Sequence, residues 1–126
     1  MAPLLLLPFK LLLKSRLKSF AYALNGLKIF FNTQINGLLH LGATIIVIGT
    51  GLYFDLNYYE WCVIVIGIAI VFITEIINTS IEFLTNLISP EYNRMAGKVK
   101  DLAAAAVLLA ALIAVALAGI IFIPKF

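Results

Sequence analysis

Five side chains able to do polar chemistry stand in a single apolar run: Glu75, Asn78, Thr79, Glu82 and Asn86. Offsets of 0, 3, 4, 7 and 11 place all five on one face of an α-helix, a polar seam along an otherwise greasy cylinder. An unpaired carboxylate inside a membrane costs several kcal/mol, so ionisable residues in such runs mark ion paths, proton relays or active sites. A helix rises about 1.5 Å per residue, which separates Glu75 and Glu82 by roughly 10 Å and gives them different tasks. Glu82 and Asn86, toward the end of the run, offer the hard oxygen ligands that suit a hydrated cation. Glu75 lies deeper and is positioned to act as a general base toward a hydroxyl group. Shortly beyond follow Glu91, Arg94, Lys98, Lys100 and Asp101, a charged cluster that either holds phosphates or forms a solvated, membrane-flanking loop.

These residues need elements to hold them, and composition limits the choice. The chain has 126 residues, 63% of them hydrophobic and 12% charged, with a mean hydropathy of +1.11. A soluble domain is about 25% charged, so the expected class is an all-α integral membrane protein. At about 20 residues per crossing, the length admits three spans and one surface segment, and leaves no room for a separate soluble catalytic domain. One membrane domain over residues 1–126 is expected, with an amphipathic interfacial helix at 9–32 and spans at 35–54, 61–88 and 102–123. In the first of these segments Lys10, Lys14, Lys18, Asn25, Lys28 and Asn32 fall on one helical face and Leu13, Leu17, Phe20, Leu24, Leu27 and Phe31 on the other, the pattern of a helix lying in the lipid interface, and equally of an amphipathic helix packing on a partner. The opening leucine run lacks a basic segment before it and a small-residue cleavage site after it, so no signal peptide is expected. The alanines of the last span, among them Ala103, Ala110 and Ala114, favour close helix packing.

Charge sets the expected orientation. Five basic residues precede the first span (Lys10, Lys14, Arg16, Lys18 and Lys28) and three (Arg94, Lys98 and Lys100) lie in the expected loop 89–100, whereas residues 55–60 carry none. Both basic segments, and the N-terminus with them, are therefore expected on the cytoplasmic side of a multi-pass protein of the cytoplasmic (inner) membrane. Nothing resembles a nucleic-acid face. No G-x-x-x-x-G-K-[ST] or G-x-G-x-x-G loop occurs. The single histidine, His40, and single cysteine, Cys62, exclude His-rich and Cys-rich metal sites. His40 is expected to be a hydrogen-bonded packing residue.

Glu75-Ile-Ile-Asn78-Thr79-Ser80-Ile81-Glu82 resembles the E-x-x-N-[ST]-[SA]-I-E signature of the prokaryotic diacylglycerol kinase family, which includes the undecaprenol kinases. Ser89-Pro-Glu-Tyr-Asn93 resembles the family's S-P-E-Y-[HN] loop, and the stretch from Ala96 through Lys100 and Asp101 resembles the start of its third span. Upstream, Phe20 to Gly26 is similar to its F-x-Y-A-x-x-G element. The resemblance implies a homotrimer with active sites between subunits, ATP as co-substrate, Mg2+, and a membrane lipid alcohol as acceptor, diacylglycerol first and undecaprenol second. It implies that Glu75 is the base, that Asn78 helps order the catalytic groups, and that Glu82 binds metal beside the nucleotide phosphates. Tyr22, Glu91, Tyr92, Asn93, Lys100 and Asp101 would complete the nucleotide site. Gln34 stands where the family most often has a metal-binding glutamate, in Thr33-Gln34-Ile35-Asn36 against T-E-R-N, and Asn86 stands where the signature usually closes on aspartate. These two exchanges leave open a second class of reading, a non-catalytic membrane protein of the same fold. A transport role is disfavoured, because residues 102–123 carry no polar path.

Overall fold

The computed structural model describes residues 8–126, and the expectation about the leader falls on residues outside that range. Among the described residues there are four α-helices, one short 3-10 turn and no strand. The chain divides after Thr33 into two compact units.

The first unit contains α1, Phe9–Thr33. Along it Leu13, Leu17, Phe20 and Leu24 are all at least half exposed.

The second unit holds α2 (Ile35–Tyr53), α3 (Tyr58–Ile88), α4 (Arg94–Phe122) and the closing 3-10 turn Ile123–Lys125. All three long helices are apolar enough to cross a membrane. Helix α2 turns into α3 within four residues. Asp55 takes a left-handed backbone (φ 51°), a conformation that aspartate tolerates better than bulky residues, and the Leu56 N–H donates to the Gly51 carbonyl (3.1 Å). Asn57 then starts α3 with a capping box. Its Oδ1 accepts from the Glu60 N–H (2.9 Å), and the Glu60 carboxylate accepts from the Asn57 N–H (3.0 Å). The turn closes tightly because residue 51 is glycine: a Cβ there would lie 2.7 Å from the Trp61 ring.

Helices α3 and α4 form the broadest pairing of the unit. Gly67 faces α4 here, and a Cβ at that position would stand in ordinary van der Waals contact with Leu117 and Ala114 at 3.6–3.7 Å. Ala103 and Ala110 are buried, in keeping with a small-residue face on α4. At the far end Phe54 meets Phe126 (ring centroids 5.0 Å apart), and Lys125 Nζ lies 3.1 Å from Glu60 Oε1, which draws the end of the chain back to the start of α3.

One boundary differs from the hydropathy reading. The stretch 89–100 is not a loop throughout: only residues 89–93 break the helices, and Arg94 to Asp101 form the opening turns of α4. The cause is local. Asn93 caps α4 through Oδ1, which accepts from the Ala96 N–H (2.9 Å), and hydropathy does not register a polar first turn. Similarly, α3 begins at Tyr58, ahead of the apolar stretch from Trp61.

Candidate functional site

The polar seam lies on one continuous helix, α3, and its members differ in depth. Glu75 is 4% exposed and Thr79 is buried, Asn78 and Glu82 are half-buried, and Asn86 is exposed. Helix α3 has 31 residues, about 46 Å at 1.5 Å per residue, whereas a hydrocarbon core is about 30 Å thick. A crossing that starts at Trp61 therefore leaves the apolar slab at about residue 80, which places Glu75 inside it and Glu82 and Asn86 in the headgroup zone.

Glu75 is not alone in the apolar layer. His40, on α2, lies with Nε2 3.1 Å from Glu75 Oε1. Thr79 Oγ1 donates to the Glu75 carbonyl oxygen (2.9 Å), which orients the threonine along the helix and leaves the carboxylate to His40. His40 is thus a hydrogen-bonded packing residue, as its type suggested, but its partner is the seam's deepest acid. Spacing along the chain does not give this partner. A short turn makes α2 and α3 antiparallel, and counting outward from it brings position 40 level with position 71, one helical turn short of Glu75, so the contact is made by the reach of the two side chains.

One helical turn further along, Asn78 Nδ2 donates to Glu82 Oε1 at 3.4 Å, a long hydrogen bond. Asn78 Oδ1 is buried without a hydrogen-bond partner. Buried carbonyl oxygens rarely stay unpaired, so this atom marks a place built for a donor or a cation. Gln34 precedes α2, is half-buried, and makes no side-chain cap hydrogen bond to that helix. Among the described residues no group of three or more His, Cys, Asp or Glu could enclose a metal ion. The donors present are one carboxylate and neutral amide oxygens. They fit a hard divalent cation that completes its shell with water and phosphate oxygens.

The charged cluster is arranged by the α3–α4 turn. Lys100 Nζ donates to Asn86 Oδ1 at 2.6 Å, so the seam's last oxygen, read from sequence as a cation ligand, is held by an ammonium group instead. Ser89 caps the end of α3 and accepts from Asn93 Nδ2 (3.2 Å), and its own hydroxyl donates to the Glu91 carbonyl (3.0 Å). Asn93 is therefore engaged at both ends of its amide. The Tyr92 ring lies over Gly97, 3.4 Å from where a Cβ would stand, and is otherwise 89% exposed, an open aromatic face at the head of α4. Glu91 and Asp101 are exposed. Tyr22 belongs to α1, in the first unit, and is also exposed.

The fold and site together define an all-α protein with three helices able to span a membrane, acids on one face of the middle one and a basic, aromatic turn beyond them. The chain belongs to the prokaryotic diacylglycerol kinase family, whose sequence model matches residues 21–122. It is 34% identical over 108 residues to the undecaprenol kinase of Bacillus subtilis (strain 168), covering 86% of this chain and 88% of that one. It is 35% identical over 109 residues to a diacylglycerol kinase of Synechocystis, spanning 62% of that protein's length and 86% of its own. The diacylglycerol kinase of Escherichia coli (strain K12) is 26% identical over 99 residues, covering 79% of this chain and 81% of that one. The relatives carry two substrate names, and the property they share is that of a lipid kinase.

Proposed function

We propose that the protein transfers the γ-phosphate of ATP to the hydroxyl of diacylglycerol, giving phosphatidic acid. The observation that carries this reading is the buried carboxylate of Glu75, seven residues from the half-buried Glu82 on one face of α3. Glu75 takes the proton of the acceptor hydroxyl as its oxygen attacks the γ-phosphorus, and the bond from that phosphorus to the bridging oxygen of ADP breaks. Asn78, which hydrogen-bonds Glu82, helps to order the catalytic groups. Glu91, Tyr92 and Asn93 lie in the α3–α4 turn and Lys100 and Asp101 in the opening turns of α4; in this reading the ammonium group meets phosphate charge and the open Tyr92 ring offers a stacking face for a base. A part for Tyr22 in nucleotide binding rests on the family motif around it alone. Mg2+ is the metal this donor set suits: Glu82 and Gln34 would hold it, and when bound it neutralises charge on the phosphate oxygens.

The functional unit is taken to be a homotrimer, in keeping with the family resemblance, and the membrane is the cytoplasmic (inner) one. The N-terminus and residues 89–100 face the cytoplasm, where ATP is available; the support is the placement of eight of the nine basic residues in those two segments. Undecaprenol is the second reading for the acceptor, favoured by the relative that matches along 88% of its own length.

The deciding experiment offers purified protein, in mixed micelles with magnesium and γ-labelled ATP, diacylglycerol and undecaprenol separately. Label is expected in phosphatidic acid. Label confined to undecaprenyl phosphate selects the second acceptor, and no labelled lipid from folded protein supports the non-catalytic reading.

A further inference from the structure

We propose that His40 is a positioning residue for Glu75: its Nε2–H anchors Oε1 of the carboxylate, so that the other oxygen is aimed at the acceptor hydroxyl. The inference rests on Glu75 being the base. To act as a base Glu75 has to be ionised, and a carboxylate in that state only accepts hydrogen bonds, which makes the ring nitrogen 3.1 Å from Oε1 the donor in the reactive state. Glutamate has three side-chain torsions, and a base has to stand within hydrogen-bond reach of the proton it removes. A single firm anchor on one oxygen removes most of that freedom.

The anchor itself is well seated. His40 sits inside α2, where its carbonyl accepts from Thr44 Oγ1 (2.7 Å). Its ring meets the ring of Phe72 edge-on, with centroids 6.3 Å apart and planes at 70°. Phe72 lies three residues before Glu75 on α3, so the imidazole is steered toward the carboxylate by the helix that carries it. On another side His40 borders an apolar cavity of about 220 Å³, lined also by Thr44, Gly67, Val71 and Ala114. In such a weakly polar surrounding a hydrogen bond to a charged group is strengthened, and misdirecting it is costly. A histidine whose only duty was packing against Phe72 would not need a nitrogen at 3.1 Å from the seam's deepest acid.

The test uses the full chain in mixed micelles, with thermal unfolding recorded for each variant. His40→Gln keeps an N–H at comparable reach, His40→Asn holds the same amide one methylene too short, and His40→Leu keeps bulk without a donor. Loss of a hydrogen bond to a charged group predicts that kcat falls about tenfold to a hundredfold in the Leu and Asn variants. KM for ATP is expected to stay within about twofold, and the Gln variant to recover most of kcat. A packing role predicts the opposite order, with Leu better than Gln. The proposal is overturned if the folded Leu variant keeps its kcat, or if Gln is no better than Asn at equal thermal stability. Glu75→Gln is run alongside. If it retains full turnover, the assignment of the base fails and this inference with it. If it is inactive while His40→Leu is fully active, only the positioning role fails.

Discussion

At the scale of single residues, the site combines one buried acid with donors that are mostly neutral. Glu75→Gln keeps shape and hydrogen bonding but cannot accept a proton. Turnover is expected to fall about 10²–10⁴-fold, the usual share of general-base catalysis, with ATP binding little changed. Steady-state kinetics beside nucleotide-binding measurements check this, and near-native turnover would remove Glu75 from the mechanism. Gln34 raises a separate question, because an amide offers a metal one oxygen and no charge. A unit charge about 4 Å away in a partly buried site is worth on the order of 4 kcal/mol before desolvation is subtracted. If a third of that survives, Gln34→Glu lowers the magnesium needed for half-maximal activity about tenfold, while Glu82→Gln raises it or abolishes activity. Magnesium titration of the two variants reads both effects, and an unchanged requirement in Gln34→Glu would separate that residue from the metal. Type and spacing made the acids legible in sequence. The ammonium of Lys100 on Asn86 was not legible, since the two residues are fourteen positions apart and meet only across a turn.

At the scale of elements, helix ends are set by capping and spans by hydropathy, and the two differ here. The α2–α3 connection reads from composition as a short polar link, yet Asn57 and Glu60 form a capping box inside it. Asn57→Ala leaves a backbone N–H unpaired, with an expected cost of about 1 kcal/mol, and a drop of several degrees in the thermal midpoint of the detergent-solubilised protein. A midpoint unchanged within error would show that Trp61, Gly51 and the Lys125 ion pair hold that end without the cap. Asn93 has the same duty at the start of α4, which explains why the expected loop is so much shorter in the structure. Its side chain is both a structural cap and a candidate for nucleotide contact, so activity lost in an Asn93 variant must be read against helix stability. The alanine-rich face of α4 was legible because small residues matter there through absence of bulk, a property of sequence alone.

At the scale of the whole molecule, the orientation reading makes a direct prediction. In a Cys62→Ala background, a cysteine replacing the exposed Tyr59 is expected to react with an impermeant thiol reagent in intact cells, and one replacing Tyr92 is expected to react only after lysis. The reverse pattern would place the residues proposed to hold nucleotide on the side without ATP. By itself the sequence determined the all-α membrane class, the three apolar helices and the seam of polar groups on the middle one. Composition, hydropathy and the 3.6-residue period are local quantities, and each is complete within a stretch of about twenty residues. Only the tertiary structure decided that the deepest acid is met by His40, that Asn78 keeps a buried oxygen unpaired, and that Lys100 occupies Asn86. Those outcomes depend on the register and rotation of helices packed side by side. They are fixed by turns such as Gly51 to Asn57 and by close contacts such as Gly67 on Ala114, which set neighbours that no periodicity along one helix encodes.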